Sequence, residues 1–134
     1  IKELQNIKVP FIDLVVVNLY PFENIVNDSK SRRQLCIENI DIGGPTLIRG
    51  AAKNYDNVTV LTNPNQYNSF LKIVEKNNNK IPKSFREYCA VVAFEKTSYY
   101  DGVISNWFNK DNPDFCNEKI PIIFRYQGNK LWYA

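Results

Sequence analysis

An acid, two glycines and a lysine set the chemical possibilities of this chain. Asp41, Gly43, Gly44 and Lys53 all lie in the stretch Asn39-Ile-Asp-Ile-Gly-Gly-Pro-Thr-Leu-Ile-Arg-Gly-Ala-Ala-Lys-Asn54. Glycines have no Cβ, so a ligand can approach the backbone closely, and Pro45 suits the first position of a helix, where its missing N–H costs nothing. A helix starting there offers an anion its free first-turn N–H groups, backed by the positive end of the helix dipole. Leu47, Ile48, Ala51 and Ala52 are expected to turn inward, with Arg49 and Lys53 four apart on another side. Asp41 and Lys53 are the candidate proton-handling pair. The expectation is that they converge with Asn18 and Tyr20 on one cleft at the carboxyl end of parallel strands.

The elements that must position these groups can be read in part from periodicity. Ile12 to Leu19 is a nearly continuous β-branched and leucine run, which predicts a strand buried on both faces of a parallel sheet. Ligands of open α/β sheets bind beyond the carboxyl ends of such strands, where this one carries Asn18, Tyr20 and Pro21. Ser29 to Asn39 predicts a helix with Leu35 and Cys36 inward. Val58 to Leu61 predicts a second strand, and Asn63-Pro64-Asn65 a turn. Tyr67, Phe70, Leu71 and Val74 recur at helical spacing up to the polar run Asn77 to Lys80. From Pro82 the pattern is helical alone, through Phe85, Cys89, Val92 and Ala93 and then Tyr100, Val103, Ile104, Trp107 and Phe108. Aromatics at that spacing are read as core packing. Asn109 to Lys119 reads as a connection, and Pro121 to Phe124 as the opening of another strand. The alternation of strand and helix argues for an α/β layer fold.

Composition narrows the function classes. A chain of 134 residues with 44% apolar content supports one core. No apolar run approaches the roughly 18 to 20 residues needed to cross a bilayer, so the expectation is a soluble, cytoplasmic protein with no membrane partner. Cys36, Cys89 and Cys116 are odd in number and lack CxxC spacing, which favours reduced thiols over a disulfide framework or a metal site. A net charge of +3 with dispersed cations does not call for a nucleic-acid partner. The absence of histidine removes the usual general base and leaves acid–base work to Lys, Asp, Glu or Tyr.

Two long motifs, Asp13-Leu-Val-Val-Val-Asn-Leu-Tyr-Pro-Phe22 and Ile40-Asp-Ile-Gly-Gly-Pro-Thr-Leu-Ile-Arg-Gly-Ala-Ala-Lys-Asn54, closely resemble the bifunctional AICAR transformylase/IMP cyclohydrolase family of purine biosynthesis. The likeness continues through Val58-Thr-Val-Leu61, Ala93-Phe-Glu-Lys-Thr-Ser-Tyr-Tyr-Asp101 and Arg125-Tyr126, and so covers nearly all of the chain. It implies a fragment of that enzyme. Residues 1–62 would be the later part of a methylglyoxal-synthase-like cyclohydrolase domain, 63–118 its appended helices, and 119–134 the start of the transformylase domain. The implied reaction closes formyl-AICAR to IMP with loss of water and without a cofactor or metal. The second activity would use 10-formyltetrahydrofolate as co-substrate. The resemblance makes Lys53 the proton donor or acceptor, Asp41 an active-site acid and Tyr20 a proton relay. It makes Val17, Asn18, Ile42 and Gly43 nucleotide contacts, and Arg125 with Tyr126 AICAR contacts of the transformylase side. The partner is a purine ribonucleotide, and the parent is expected to be a homodimer. The family's phosphate-binding loop is expected upstream of Ile1, so the isolated chain is expected to be inactive.

The family's junction motif is only partly kept in Arg125-Tyr-Gln-Gly-Asn-Lys-Leu-Trp132, and Lys96 stands where the family commonly has histidine. An unperturbed lysine near pKa ~10.4 would need a depression of about 3 units, roughly 4 kcal/mol, to act as a free base at pH 7. Lys53 is therefore read as a charged donor that protonates the departing oxygen, with Asp41 orienting or accepting. The plainer alternative is a lysine favoured at a helix carboxyl end by the dipole. Two other functions remain open at this level. One is a non-catalytic purine-nucleotide-binding α/β module, and the other a single-stranded RNA surface, which would need its aromatics exposed on a basic face.

Overall fold

The computed structural model describes residues 10–110 and the two strands Phe124–Gln127 and Lys130–Tyr133. Strand β1 (Leu14–Val16) pairs in parallel with β2 (Thr59–Leu61), with Val15 opposite Val60. Thr59 N–H donates to the Asp13 carbonyl at 2.9 Å and Val17 N–H to the Leu61 carbonyl at 3.0 Å, extending the ladder at both ends. Between the strands run α1 (Phe22–Asn27), α2 (Arg33–Glu38) and α3 (Gly43–Lys53). After β2 come a 3₁₀ turn at Pro64–Gln66, α4 (Tyr67–Lys76) and α5 (Lys83–Asn109). β3 (Phe124–Gln127) and β4 (Lys130–Tyr133) form a separate antiparallel pair. The chain is α/β, as its alternating pattern predicts. Among the described residues no helix is long and apolar enough to cross a membrane.

Local chemistry explains most element boundaries. The Asn63 side chain accepts from Asn65 N–H at 2.9 Å, while Gln66 Oε1 accepts from Thr62 N–H at 2.8 Å and Asn63 N–H at 3.0 Å, a reciprocal box that starts the turn into α4. α4 stops where Asn78 and Asn79 take positive φ of 51° and 63°, a region asparagine tolerates better than most residues. Pro82 in extended backbone precedes α5, and its carbonyl accepts from Phe85 and Arg86.

The core lies along α5. Its first half places Cys89, Ala90 and Ala93 against Ile48, Ala51 and Ala52 of α3, Val60 and Leu61 of β2, and Val58 just before that strand. Its second half places Tyr100 against Phe22 and Cys36, with Trp107 edge-on to Phe22 at 5.7 Å between centroids. Leu19 touches both clusters. α3 and α5 run antiparallel, because Tyr100 meets the chain just before α3 whereas Arg86 meets the chain just after it. The Arg86 guanidinium donates to three carbonyls, of Tyr55 at 2.8 Å, Ile81 at 2.5 Å and Asp56 at 2.8 Å.

Several sequence expectations are corrected. β1 is short and covered on one face only, with Leu14 and Val16 exposed and Val15 and Val17 half-buried, because the core packs against one side of the pair. Leu35 and Leu47 are exposed, whereas Cys36 and Ile48 beside them are buried. Leu71 is likewise exposed, with Tyr67, Phe70 and Val74 half-buried. The two apolar groups after Pro82 belong to one helix of 27 residues. Residues 111–123, with the expected connection and the opening of the last strand, lie outside the described residues.

Replacing Arg86 by methionine keeps the stem and deletes three donors, and is expected to lower the unfolding free energy by about 2 to 3 kcal/mol in urea titrations. Burial pushes the Cys89 thiol from its ordinary 9.0 up to about 11. Above pH 9 the unfolded thiol ionises while the folded one stays protonated. The stability this supplies is thus complete below pH 9 and is lost as pH rises through about 11. Denaturation measured across pH 8 to 11 should show that slope in the wild type and lose it in Cys89→Ala.

Candidate functional site

α3 begins two residues earlier than its proline suggests. Gly43 is its first residue, and Pro45 sits third, where the backbone N–H would also have lacked a helical partner. The cause is Asp41. Its Oδ1 accepts from Gly44 N–H at 2.7 Å, so the carboxylate caps the helix from two residues before the first helical position. A Cβ on Gly44 would lie 2.8 Å from Asp41 Cγ and closer still to Oδ2, so glycine there makes room for the carboxylate. The expected anion-receptive corner therefore already holds an anion, and it is the chain's own. Gly43 remains open, with no atom within 4 Å of a Cβ placed on it, and Ile42 is 74% exposed.

Tyr100 holds this corner to α5. Its hydroxyl accepts from Asp41 N–H at 2.9 Å and donates toward the Asn39 carbonyl at 3.4 Å. Burial chiefly, and the Asp41 and Asp101 carboxylates, push the phenol up, against the hydrogen bond from Asp41 N–H, which favours the phenolate. The group stays protonated at neutral pH and so both accepts and donates. On its other side Tyr100 lines a cavity of about 200 Å³ at the carboxyl end of β1, together with Tyr20, Glu23, Lys96 and Tyr99. The Tyr99 hydroxyl donates to Glu23 Oε1 at 2.8 Å, and that bond holds its phenol above the usual range. Lys96, Tyr99, Tyr100 and Val103 recur at i, i+3, i+4 and i+7, a single face of α5.

The candidate residues divide into two places. Tyr20, exposed, borders the cavity; Val17 and Asn18 precede it on the same strand end; Asp41, Ile42 and Gly43 sit beyond Tyr100. Asn18 Nδ2 donates to the Tyr67 hydroxyl at 2.9 Å, leaving its carbonyl oxygen as an acceptor. Lys53 is elsewhere. It is the last residue of α3 and exposed, six residues before β2, hence at the amino ends of the strands. The 11 helical residues put about 16 Å between the two ends of α3, so Asp41 and Lys53 do not share a cleft. The Arg49 guanidinium lies over the Phe94 ring at 5.6 Å. Arg125 and Tyr126 pair through their backbones with Trp132 and Leu131, and their side chains fall outside the described part of the structure.

Tyr100, Tyr99, Lys96 and Glu23 were not singled out as site residues from sequence. The signal available was a lysine interrupting an otherwise apolar stripe at Lys96, one turn before two adjacent tyrosines. A second cavity, of about 260 Å³, is lined by Asn63, Asn65, Gln66, Ser69, Phe85, Tyr88 and Val92, with no charged group and none of the candidate residues.

Comparison with known proteins bears on the same chain segments. The family model of the AICARFT/IMPCHase bienzyme matches residues 51–133. The bifunctional purine biosynthesis protein PurH of Prochlorococcus marinus (strain MIT 9211) is 43% identical over 141 aligned residues, covering 98% of this chain and 26% of that protein. The protein of the same description from Rippkaea orientalis (strain PCC 8801 / RF-1) is 52% identical over 97 residues, covering 72% of this chain and 19% of that protein. The chain spans about a quarter of the length of the curated relatives it matches. Among solved structures, the crystal structure of ForH superposes with a TM-score of 0.67 at 32% identity, over 83% of this chain and 57% of that one.

The Asp41–Gly44 contact gives a stability test of the corner. Gly44→Ala should cost about 1 to 2 kcal/mol by displacing the cap, and Asp41→Ala about 1 kcal/mol. In the Asp41→Ala background, Gly44→Ala should turn neutral or stabilising, because the obstructing carboxylate is gone and alanine is the better helix former. Thermal or urea unfolding of the four variants reads this directly.

Proposed function

Because the chain belongs to the AICARFT/IMPCHase bienzyme family, we propose that it forms part of the cyclohydrolase half of a bifunctional purine-biosynthesis enzyme, where formyl-AICAR closes to IMP. In this reaction the carboxamide nitrogen attacks the formyl carbon and gives up one proton as the C–N bond forms; the formamido nitrogen then gives up a second proton as a C=N bond forms, the C–O bond breaks and the former formyl oxygen leaves as water. The observation that carries the reading is the corner at the carboxyl end of β1. There an open, glycine-bearing helix start capped by Asp41 is joined through Tyr100 to a cavity bordered by Tyr20.

In this reading Val17, Asn18, Ile42 and Gly43 contact the nucleotide, with the Asn18 carbonyl oxygen as acceptor and the open Ile42–Gly43 backbone against the base. Asp41 orients the carboxamide or accepts its proton, and Tyr20 relays protons at the cavity. Lys53 keeps its proposed role as a charged donor only by acting apart from Asp41, since direct proton transfer requires heavy atoms within about 3 Å. A partner transformylase half would take 10-formyltetrahydrofolate as co-substrate, with Arg125 and Tyr126 on the AICAR side. A cytoplasmic homodimer is the assembly we infer for the whole enzyme. A purely nucleotide-binding module would bind the same ligand without turnover.

The test is an assay of cyclisation and formyl transfer in the protein encoded by the complete reading frame. Asp41→Asn and Tyr20→Phe should each lower cyclisation by a factor on the order of 10² to 10⁴ while formyl transfer stays near normal. Equal loss of both activities would point to a folding defect and sink the assignment. Asp41 and Lys53 lie too far apart to couple directly, so the loss in Asp41→Asn/Lys53→Ala should be the product of the single losses. A double variant no worse than the worse single would mean that the two act as one unit.

A further inference from the structure

Asp41 is held from two sides. The connection from α2 to α3 runs from Asn39 to Ile42, and its first two N–H groups donate back to α2, Asn39 to the Leu35 and Cys36 carbonyls and Ile40 to that of Ile37. Among the described residues Asp41 N–H has one partner, the Tyr100 hydroxyl at 2.9 Å, which also reaches the Asn39 carbonyl at 3.4 Å. The second hold is on the carboxylate, whose Oδ1 accepts from Gly44 N–H at 2.7 Å. Among the described residues Oδ2 makes no hydrogen bond or ion pair. It is the carboxylate oxygen whose accepting capacity is left for a ligand.

The far end of the Tyr100 tether is packed. Tyr100 is 6% exposed in the second half of α5, its ring edge-on to Phe22 at 6.2 Å between centroids. Because the buried phenol stays protonated at neutral pH, its one hydroxyl accepts from Asp41 N–H and donates toward the Asn39 carbonyl together. A side chain locked by packing and bonded to the backbone of a functional residue fixes that residue more closely than a short connection does alone. We propose that Tyr100 is a positioning residue for the cyclisation, holding the Asp41 backbone in the place from which the carboxylate meets the carboxamide through Oδ2. Its hydrogen bonds go to backbone groups, so it acts through Asp41 and exchanges no proton with the substrate. The inference rests on the reading of Asp41 as the acid of a cyclohydrolase site.

Cyclisation kinetics of the protein of the complete reading frame test it. Tyr100→Phe keeps the ring against Phe22 and deletes the hydroxyl. It should lower kcat by about 10- to 100-fold with KM for formyl-AICAR nearly unchanged, since a misplacement of about 1 Å is enough for such a loss, while formyl transfer stays near normal. In the Asp41→Asn background the same change should cost less than about twofold, because the group it positions has already lost its function. Wild-type kcat in Tyr100→Phe, or a loss that multiplies with that of Asp41→Asn, overturns the positioning role and leaves the assignment of Asp41 standing. Equal loss of cyclisation and formyl transfer, the mark of a merely structural role, overturns it as well. Amide hydrogen exchange of the wild type supplies a reading that survives poor folding of the variant: Asp41 N–H should exchange at least about tenfold more slowly than in an open chain. Exchange at the open-chain rate overturns the tether. Wild-type cyclisation in Asp41→Asn overturns the site reading, and the inference with it.

Discussion

The close antiparallel contact of α3 with α5 is the constraint on which the rest of the structure depends. It is made by small side chains: Ala51 and Ala52 on α3, and Cys89, Ala90 and Ala93 on α5, all buried, with Ile48 as the single large residue among them. Side chains of that size bring helix axes toward the short end of the usual 8 to 10 Å range. Hydrogen bonds then fix the register at both ends. Tyr100 takes Asp41 N–H at one end, and Arg86 takes the Tyr55 and Asp56 carbonyls at the other. Fourteen residues separate Arg86 from Tyr100 along α5, and a like number separates Asp41 from Tyr55, so a slip of either helix would break both tethers at once.

That register decides what can meet what. α3 leads through a short turn into β2, so its carboxyl end lies at the amino ends of the strands and its amino end at their carboxyl ends. Asp41, Ile42 and Gly43 are thereby delivered to the side where β1 ends in Asn18 and Tyr20. Lys53 is carried about 16 Å away by the same helix. The lysine that does border the β1-end cavity is Lys96, which α5 presents because it lies one turn before Tyr100. One helix thus supplies the tether, the cavity wall and the cation.

What could be read from sequence followed the strength of the periodic signal. The α4 stripe, the buried β2 run and the inward Ile48, Ala51 and Ala52 were all legible because apolar residues recurred at one spacing. Leu14, Val16, Leu35 and Leu47 were misplaced because an apolar residue at the right spacing still needs a neighbour to cover it, and that neighbour is a tertiary fact. The helix start was off by two residues because the cap comes from Asp41, before the two glycines, and not from a residue adjoining Pro45. Tyr100 was legible as core and invisible as a tether, since the same ring packs on Phe22 while its hydroxyl reaches a backbone N–H 59 residues away in sequence. The separation of Asp41 from Lys53 was available in principle, because an uninterrupted helix between two residues sets their distance.

The capped corner also constrains which part of a nucleotide can sit where. A helix amino terminus ordinarily attracts phosphate, but here the Asp41 carboxylate occupies that position and takes the Gly44 N–H. A phosphate about 4 Å from that carboxylate would meet a repulsion of about 4 kcal/mol per unit charge at an effective dielectric near 20. The part of the dipole already balanced by Asp41 cannot offset it. A neutral base edge meets no such penalty and can use the open backbone at Ile42 and Gly43. In the proposed site, then, the base belongs at the Asp41 corner and the phosphate must be held by groups other than this helix start.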